Sequence, residues 1–150
     1  MISITLNQFV PAAPGKVQAV LLQHDRLNRF FEADFKLVSP QYDGEIEGGV
    51  GAVREVCVAG IRFCEQITHT DASLIRYQIV GRAPVHNHQG HIQLNTDGKD
   101  LSGTQLQYHI QFSTPWYVPG PLIKYLVHKD TAQALSRLAA YFDNRHCHEC

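Results

Sequence analysis

The stretch that most constrains how this chain can fold lies near its end. From Val118 to Phe142 the sequence reads as one long helix. Pro119 and Pro121 stand where such a helix begins, and a proline there costs little because first-turn amides have no intrahelical partner. Leu122, Tyr125, Leu126 and Lys129 mark one surface. Thr131, Leu135, Leu138 and Phe142 carry on at steps of three and four residues, the spacing of a buried helical stripe. Lys124, Asp130, Gln133 and Arg137 fall largely elsewhere and face water. About 25 residues at 1.5 Å each give roughly 38 Å, enough to cross a small domain. Almost everything before the helix reads as strand, so one helix must cover one large sheet.

Ile2, Ile4, Leu6 and Val10 alternate with polar residues and predict a first, half-buried strand. Pro11 to Gly15 breaks it. Pro14 then starts a helix carrying Val17, Val20, Leu21 and His24. A second short helical piece runs from Asp25, its expected N-cap, to Phe31, with Phe30 and Phe31 pinning the pair to the sheet. Phe35, Leu37 and Ser39 predict a second strand, followed by a polar, glycine-rich loop over residues 41–49. Val50–Val58 is a third strand, Ala59-Gly60 a hairpin turn, Ile61–His69 a fourth strand and Leu74–Val80 a fifth. His86–Asn95 is a sixth, then comes a loop with an Asp97-Gly98 turn. Thr104–Phe112 is the seventh and alternates most cleanly. Strands joined by short turns make an antiparallel meander, and seven of them with ordinary twist curl. The predicted fold class is α+β: a curved seven-stranded antiparallel sheet around a long C-terminal helix, with two short helices between the first and second strands.

A chain of 150 residues favours one domain. We set it at residues 1–145, leaving 146–150 as a short His/Cys tail. The formal charge of −1 and the lack of a basic run give no footprint for nucleic acid. No apolar run approaches the roughly 18 residues of an integral membrane segment. The N-terminus alternates like a strand and lacks the layout of a signal peptide, so a cytoplasmic home is expected. Cys57 and Cys64 are expected in adjacent strands as ordinary half-buried thiols. Cys147 and Cys150, with His146 and His148, could hold zinc, but a terminal tail has little around it to orient ligands. No metal site and no cofactor is expected. Oligomeric state is left open.

The element order resembles the START-related superfamily, which includes the birch-pollen-allergen-type and polyketide cyclase/dehydrase-like proteins (SRPBCC). The carrying residues are local. Val17-Gln18-Ala19-Val20-Leu21 resembles the first helix, and Gly49-Val50-Gly51-Ala52-Val53-Arg54 the glycine-then-arginine third strand. Phe63-Cys64-Glu65-Gln66-Ile67-Thr68 resembles the aromatic-x-Glu-x-Ile segment, and Leu74-Ile75-Arg76-Tyr77-Gln78-Ile79 the fifth strand. The resemblance implies a single START-like, helix-grip domain with a hydrophobic cavity between sheet and helix, used by relatives for sterols, acyl chains, polyketides or quinones. The polar sets of the catalytic branches do not match this sequence, so no catalytic residue is carried across.

Strand parity selects the residues that would line such a cavity. Phe63, Glu65 and His69 share a face of the fourth strand. Tyr77 lies on the fifth, His86 and His88 on the sixth, and Tyr108 and Ile110 on the seventh. Trp116 and Leu126 come from the helix and its approach. An apolar wall with a few polar groups suits a small hydrophobic ligand. Glu65, flanked by Phe63 and Ile67, has three readings: an ion pair with Arg54, a ligand contact or proton-transfer group, or a solvent-facing carboxylate. His86 and His88 lie roughly 6.5 Å apart along their strand; they would bind metal, contact ligand, or mark a solvated strand end. The aromatic side chains Tyr77, Tyr108, Trp116 and Tyr125 read as core more readily than as ligand contacts. The function this favours is binding or carriage of an apolar small molecule, a lipid, quinone or polyketide-like compound. The alternatives are a polyketide cyclase/dehydratase-type enzyme using Glu65 and a cavity histidine, and an interaction module with a residual cavity.

Overall fold

The computed structural model describes residues 1–98 and 102–149, with side chains described as far as residue 143. Seven strands run in chain order: β1 (Ile2–Val10), β2 (Asp34–Ser39), β3 (Val53–Val58), β4 (Ile61–Asp71), β5 (Leu74–Val80), β6 (His86–Thr96) and β7 (Thr104–Ser113). Helix α1 (Pro14–Leu21) and a 3-10 helix (His24–Arg29) lie between β1 and β2, and α2 (Gly120–Glu149) ends the chain. All strand pairs are antiparallel, in the order β1-β7-β6-β5-β4-β3-β2. The chain thus forms a curved α+β sheet with a long C-terminal helix, as the alternation predicts.

Burial follows the two periods of the sequence. On β7, Leu106, Tyr108, Ile110 and Phe112 are buried, and the intervening residues face outward. Ile4, Ile67, Ile75, Ile92 and Leu94 extend that inner wall. Against it pack Val17, Val20 and Leu21 of α1, Leu27 of the 3-10 helix and Phe30 just after it, and Ala134, Leu135, Leu138 and Phe142 of α2. Each fully buried Leu, Ile or Phe contributes about 1.5–3 kcal/mol. Phe30 meets Tyr141 edge-on at 5.7 Å, and Arg137 donates to the Phe30 carbonyl at 3.0 Å, so the 3-10 helix anchors the second half of α2.

Several local expectations are corrected. Strand β3 begins at Val53, not Val50, because Gly51 takes a φ of 94°, and Gly51 and Ala52 both bond to the single residue Ile67. Asp25 does not cap the 3-10 helix; that position is Gln23, and the Asp25 carboxylate accepts from the Leu37 amide at 2.7 Å, tying the helix to β2. Helix α2 starts at Gly120, two residues later than read. Its first half is also turned: Leu122, Tyr125 and Leu126 are exposed, while Ile123 and Val127 are half-buried and pack on the core. Stepping back by fours from Thr131 reaches Val127 and Ile123, which is the stripe the helix uses. The turn Ala59-Gly60 has φ of 52° and 80°, the left-handed pair a two-residue hairpin demands. Cys57 and Cys64 are half-buried free thiols. The His146–Cys150 tail lies outside the residues whose side chains are described, and part of the loop after Asp97 lies outside the described residues. Among the described residues no helix is long and apolar enough to cross a membrane.

Candidate functional site

The inner face of the sheet carries a buried polar cluster in the middle of an apolar wall. Arg54 on β3 and Glu65 on β4 are register partners. Arg54 Nε and one terminal nitrogen each lie 2.9 Å from Glu65 Oε1, and both side chains are buried. The other terminal nitrogen donates to His24 Nδ1 at 3.3 Å. Arginine has only donors, so His24 Nδ1 is the acceptor, and its Nε2–H donates to the Gly48 carbonyl at 2.8 Å. Burial, reinforced by the Arg54 charge, lowers the His24 pKa from its ordinary 6.5, which keeps the ring neutral in this arrangement. The guanidinium also lies over the Tyr77 ring at 4.9 Å and the Phe35 ring at 5.4 Å.

Tyr77 on β5 and Tyr108 on β7 hydrogen-bond through their hydroxyls although β6 runs between them. Gly90 makes this bridge possible. It is the β6 residue opposite both Tyr77 and Ile110, and any Cβ there would strike the Tyr77 ring. Burial raises both phenol pKa values, that of Tyr108 to about 12, so both remain protonated donors. The His88 ring stands 5.6 Å from the Tyr77 ring. Burial, with a smaller push from Arg54 against the pull of Glu65, lowers its pKa and favours the neutral imidazole. His88 Nδ1 is buried and, among the described side chains, has no hydrogen-bond partner. A buried polar atom without a partner costs about 1–3 kcal/mol, which a ligand group of matching polarity would relieve.

The ten expected site residues divide in two. Glu65, Tyr77, Tyr108 and Ile110 are buried on the inner face, and His88 and Phe63 are half-buried there. His69 is not with them. The β4–β5 register slips between Ile67 and His69, which moves His69 opposite Arg76 on the outer face. There its Nε2 donates to Asp71 at 2.9 Å, and both side chains are about half exposed. His86 is exposed because β6 breaks register between His86 and Gln89, with Asn87 at a φ of 53°. The expected side-by-side histidine pair is therefore absent, and no group of three metal-ligating side chains occurs among the described residues. Trp116 is 94% exposed and Leu126 49% exposed, so neither lines the inner face. Tyr125 is also exposed rather than core.

Sequence reasoning found Arg54 as a possible partner of Glu65 but missed His24 and Gly90. The glycine did leave a signal: it is the one small residue inside an alternating strand, the mark of a close approach. Among the described residues two open hollows lie elsewhere. One of about 360 Å³ is lined by Gln8, Phe9, Pro11, Ala139, Ala140 and Asp143. The other, about 430 Å³, lies between the 3-10 helix and the β3–β4 turn, around Phe31, Asp34 and Cys57. Neither is the expected cavity under α2.

A curved antiparallel sheet gripping a C-terminal helix, with polar groups set into its inner face, defines a helix-grip domain of the START-like kind. The chain belongs to the family described as polyketide cyclase/dehydrase and lipid transport, which matches residues 1–143. Among solved structures it is similar to the protein XoxI from Bacillus cereus, with 19% identity, TM-score 0.72, and 97% of this chain and 99% of that one covered. It is also similar to a START superfamily protein from Mycobacterium smegmatis, with 12% identity, TM-score 0.76, and 95% and 97% covered. Ara h 8.0201 follows the same fold at 18% identity and TM-score 0.66, with 95% and 98% covered. At these identities the likeness establishes the fold. Curated proteins give no significant match.

Proposed function

We propose that this chain binds and carries a small apolar molecule with one polar end, seated between the inner face of the sheet and α2. The observation that carries this reading is the unpartnered, buried Nδ1 of His88 beside the Tyr77–Tyr108 bridge. The polar end would bond to His88, and the apolar body would lie along Phe63, Ile110 and the half-buried Ile123 and Val127 of α2. These side chains are covered even without a ligand, so entry requires the first half of α2 or the side chains beneath it to shift. The family's description, which includes lipid transport, supports the same class of cargo. The enzyme reading is weaker for a geometric reason: Arg54 engages Glu65 through two contacts, which commits the carboxylate to a buried ion pair. A reducing compartment such as the cytoplasm fits the unbridged Cys57 and Cys64.

The test is organic extraction of purified protein followed by mass spectrometry, together with titration of an environment-sensitive fluorescent fatty acid. The expected result is a stoichiometric amphiphile in the extract and saturable probe binding, weakened about tenfold or more by His88→Leu, the loss of one buried hydrogen bond to a polar group. An empty extract with no saturable binding overturns the proposal. Binding unchanged in His88→Leu removes His88 from it.

A further inference from the structure

We propose that the outer face of the first half of α2, with the Trp116-Tyr117 turn before it, docks on the surface of an anionic lipid bilayer. Eleven large apolar side chains are exposed among the described residues, and five of them fall between residues 116 and 126: Trp116, Tyr117, Leu122, Tyr125 and Leu126. Leu122, Tyr125 and Leu126 stand at helical steps of three and four, so they form one face, opposite the Ile123–Val127–Thr131 stripe that packs inward. Trp116 and Tyr117 touch edge-on at 5.7 Å, just ahead of that face. Tryptophan and tyrosine are the side chains that settle at a membrane–water boundary, with the ring in the apolar layer and the polar tip in water.

The charges around the face decide its partner. Residues 113–129 contain no aspartate or glutamate, although the whole chain carries a formal charge of −1. Lys129 follows Tyr125 and Leu126 by four and three residues, so it stands on that face, and it is exposed. The first acid, Asp130, turns its carboxylate to the Glu32 amide, away from this face. An apolar, aromatic face that carries a lysine and no acid is the layout of a helix that lies in a lipid headgroup layer. A protein-binding face would instead be depleted in lysine. The proposal is independent of the interior site, because it requires no cargo.

Trp116 is the only tryptophan in the chain, so its emission reports this face alone. Purified protein is mixed with phosphatidylcholine vesicles made with and without phosphatidylserine. The expected result is a blue shift of Trp116 emission and flotation of the protein with the phosphatidylserine vesicles, both reversed by salt and much weaker on phosphatidylcholine alone. Leu122→Ser/Leu126→Ser should abolish flotation. Lys129→Glu should weaken it about fivefold or more, since a lysine near an anionic surface is worth roughly fivefold. All three positions are exposed, and unchanged thermal melting checks that the variants fold. Emission that stays put with no flotation overturns the proposal, as does wild-type flotation by the serine variant. A blue shift that grows with protein concentration in the absence of lipid assigns the face to a second copy of the chain and likewise overturns it.

Discussion

Arg54 and Glu65 sit opposite one another on β3 and β4, and a single carboxylate oxygen receives two of the three guanidinium nitrogens at 2.9 Å. Neither side chain reaches solvent to any useful extent, so each charge depends on the other. Removing one leaves its partner buried and unpaired, which costs about 3–5 kcal/mol, whereas replacing both with apolar groups of similar size is often neutral. Glu65→Leu is therefore expected to lower the urea midpoint sharply, and Arg54→Met/Glu65→Leu to recover most of the loss. Equal midpoints for the double variant and Glu65→Leu would show that the pair is not coupled.

The fold of this cluster also fixes how the protein responds to acid. Burial lowers the pKa values of both His24 and His88, and Arg54 lowers each further; the Gly48 carbonyl, Asp25 and Glu65 pull the other way at His24, and Glu65 does at His88. Below about pH 6.5 the unfolded chain takes up protons that the folded chain refuses, so stability is full above that pH and declines as pH falls toward the lowered values. The slope approaches about 1.4 kcal/mol per pH unit for each histidine within that window. Urea midpoints measured from neutral pH down to the acid side should show this decline. His24→Gln should flatten it in part, because the amide cannot be protonated there; an unchanged slope would assign the decline to other groups.

How much of this was legible in the sequence depends on which side chain is asked about. Period two on β7 places Tyr108 and Ile110 without error, because that strand pairs in unbroken register with β1 and, beyond Gln89, with β6. His69 and His86 were misplaced for one reason. Each stands beyond a register slip, and one slipped residue turns every later side chain to the opposite face. The helix was read correctly as an element, but its first turns were joined to the wrong stripe. Leu122, Tyr125 and Leu126 form as regular an apolar stripe as the inward Ile123 and Val127, so hydrophobicity alone does not choose between the two faces. The polar cluster was half visible. Glu65 lies in an apolar run and announces itself, but His24 is joined to Arg54 across 30 residues of chain, and spacing carries no record of that contact.

Gly90 is the hinge on which the tyrosine bridge turns. Adding a methyl group there puts it into the Tyr77 ring, which lies over the strand on its way to Tyr108. The ring must tilt away or the strand must bend, and overpacking of this kind costs about 1–3 kcal/mol. Gly90→Ala should therefore lower the melting temperature by several degrees and change the near-ultraviolet circular dichroism of the tyrosines. Tyr77→Phe keeps the ring and loses only the hydroxyl contact, so it is expected to cost less, about 1 kcal/mol. A Gly90→Ala protein with wild-type melting and tyrosine signal would mean the ring does not lie where the bridge requires.

The two faces of α2 make opposite demands on leucine. Leu138 is buried against the sheet, and truncating it to alanine removes methyl groups from a packed interior, at a cost of about 2–5 kcal/mol. Leu126 lies about half exposed on the outer face, and the same truncation is expected to change stability by no more than about 0.5 kcal/mol. Thr131 sits on the buried stripe between them, so Thr131→Lys should be poorly tolerated while a lysine at Leu126 should be accepted. Chemical denaturation of the four single variants reads the phase of the helix directly. If Leu126→Ala were as costly as Leu138→Ala, the first half of α2 would have to pack inward through Leu122, Tyr125 and Leu126, and the exposed face proposed as a lipid contact would not exist.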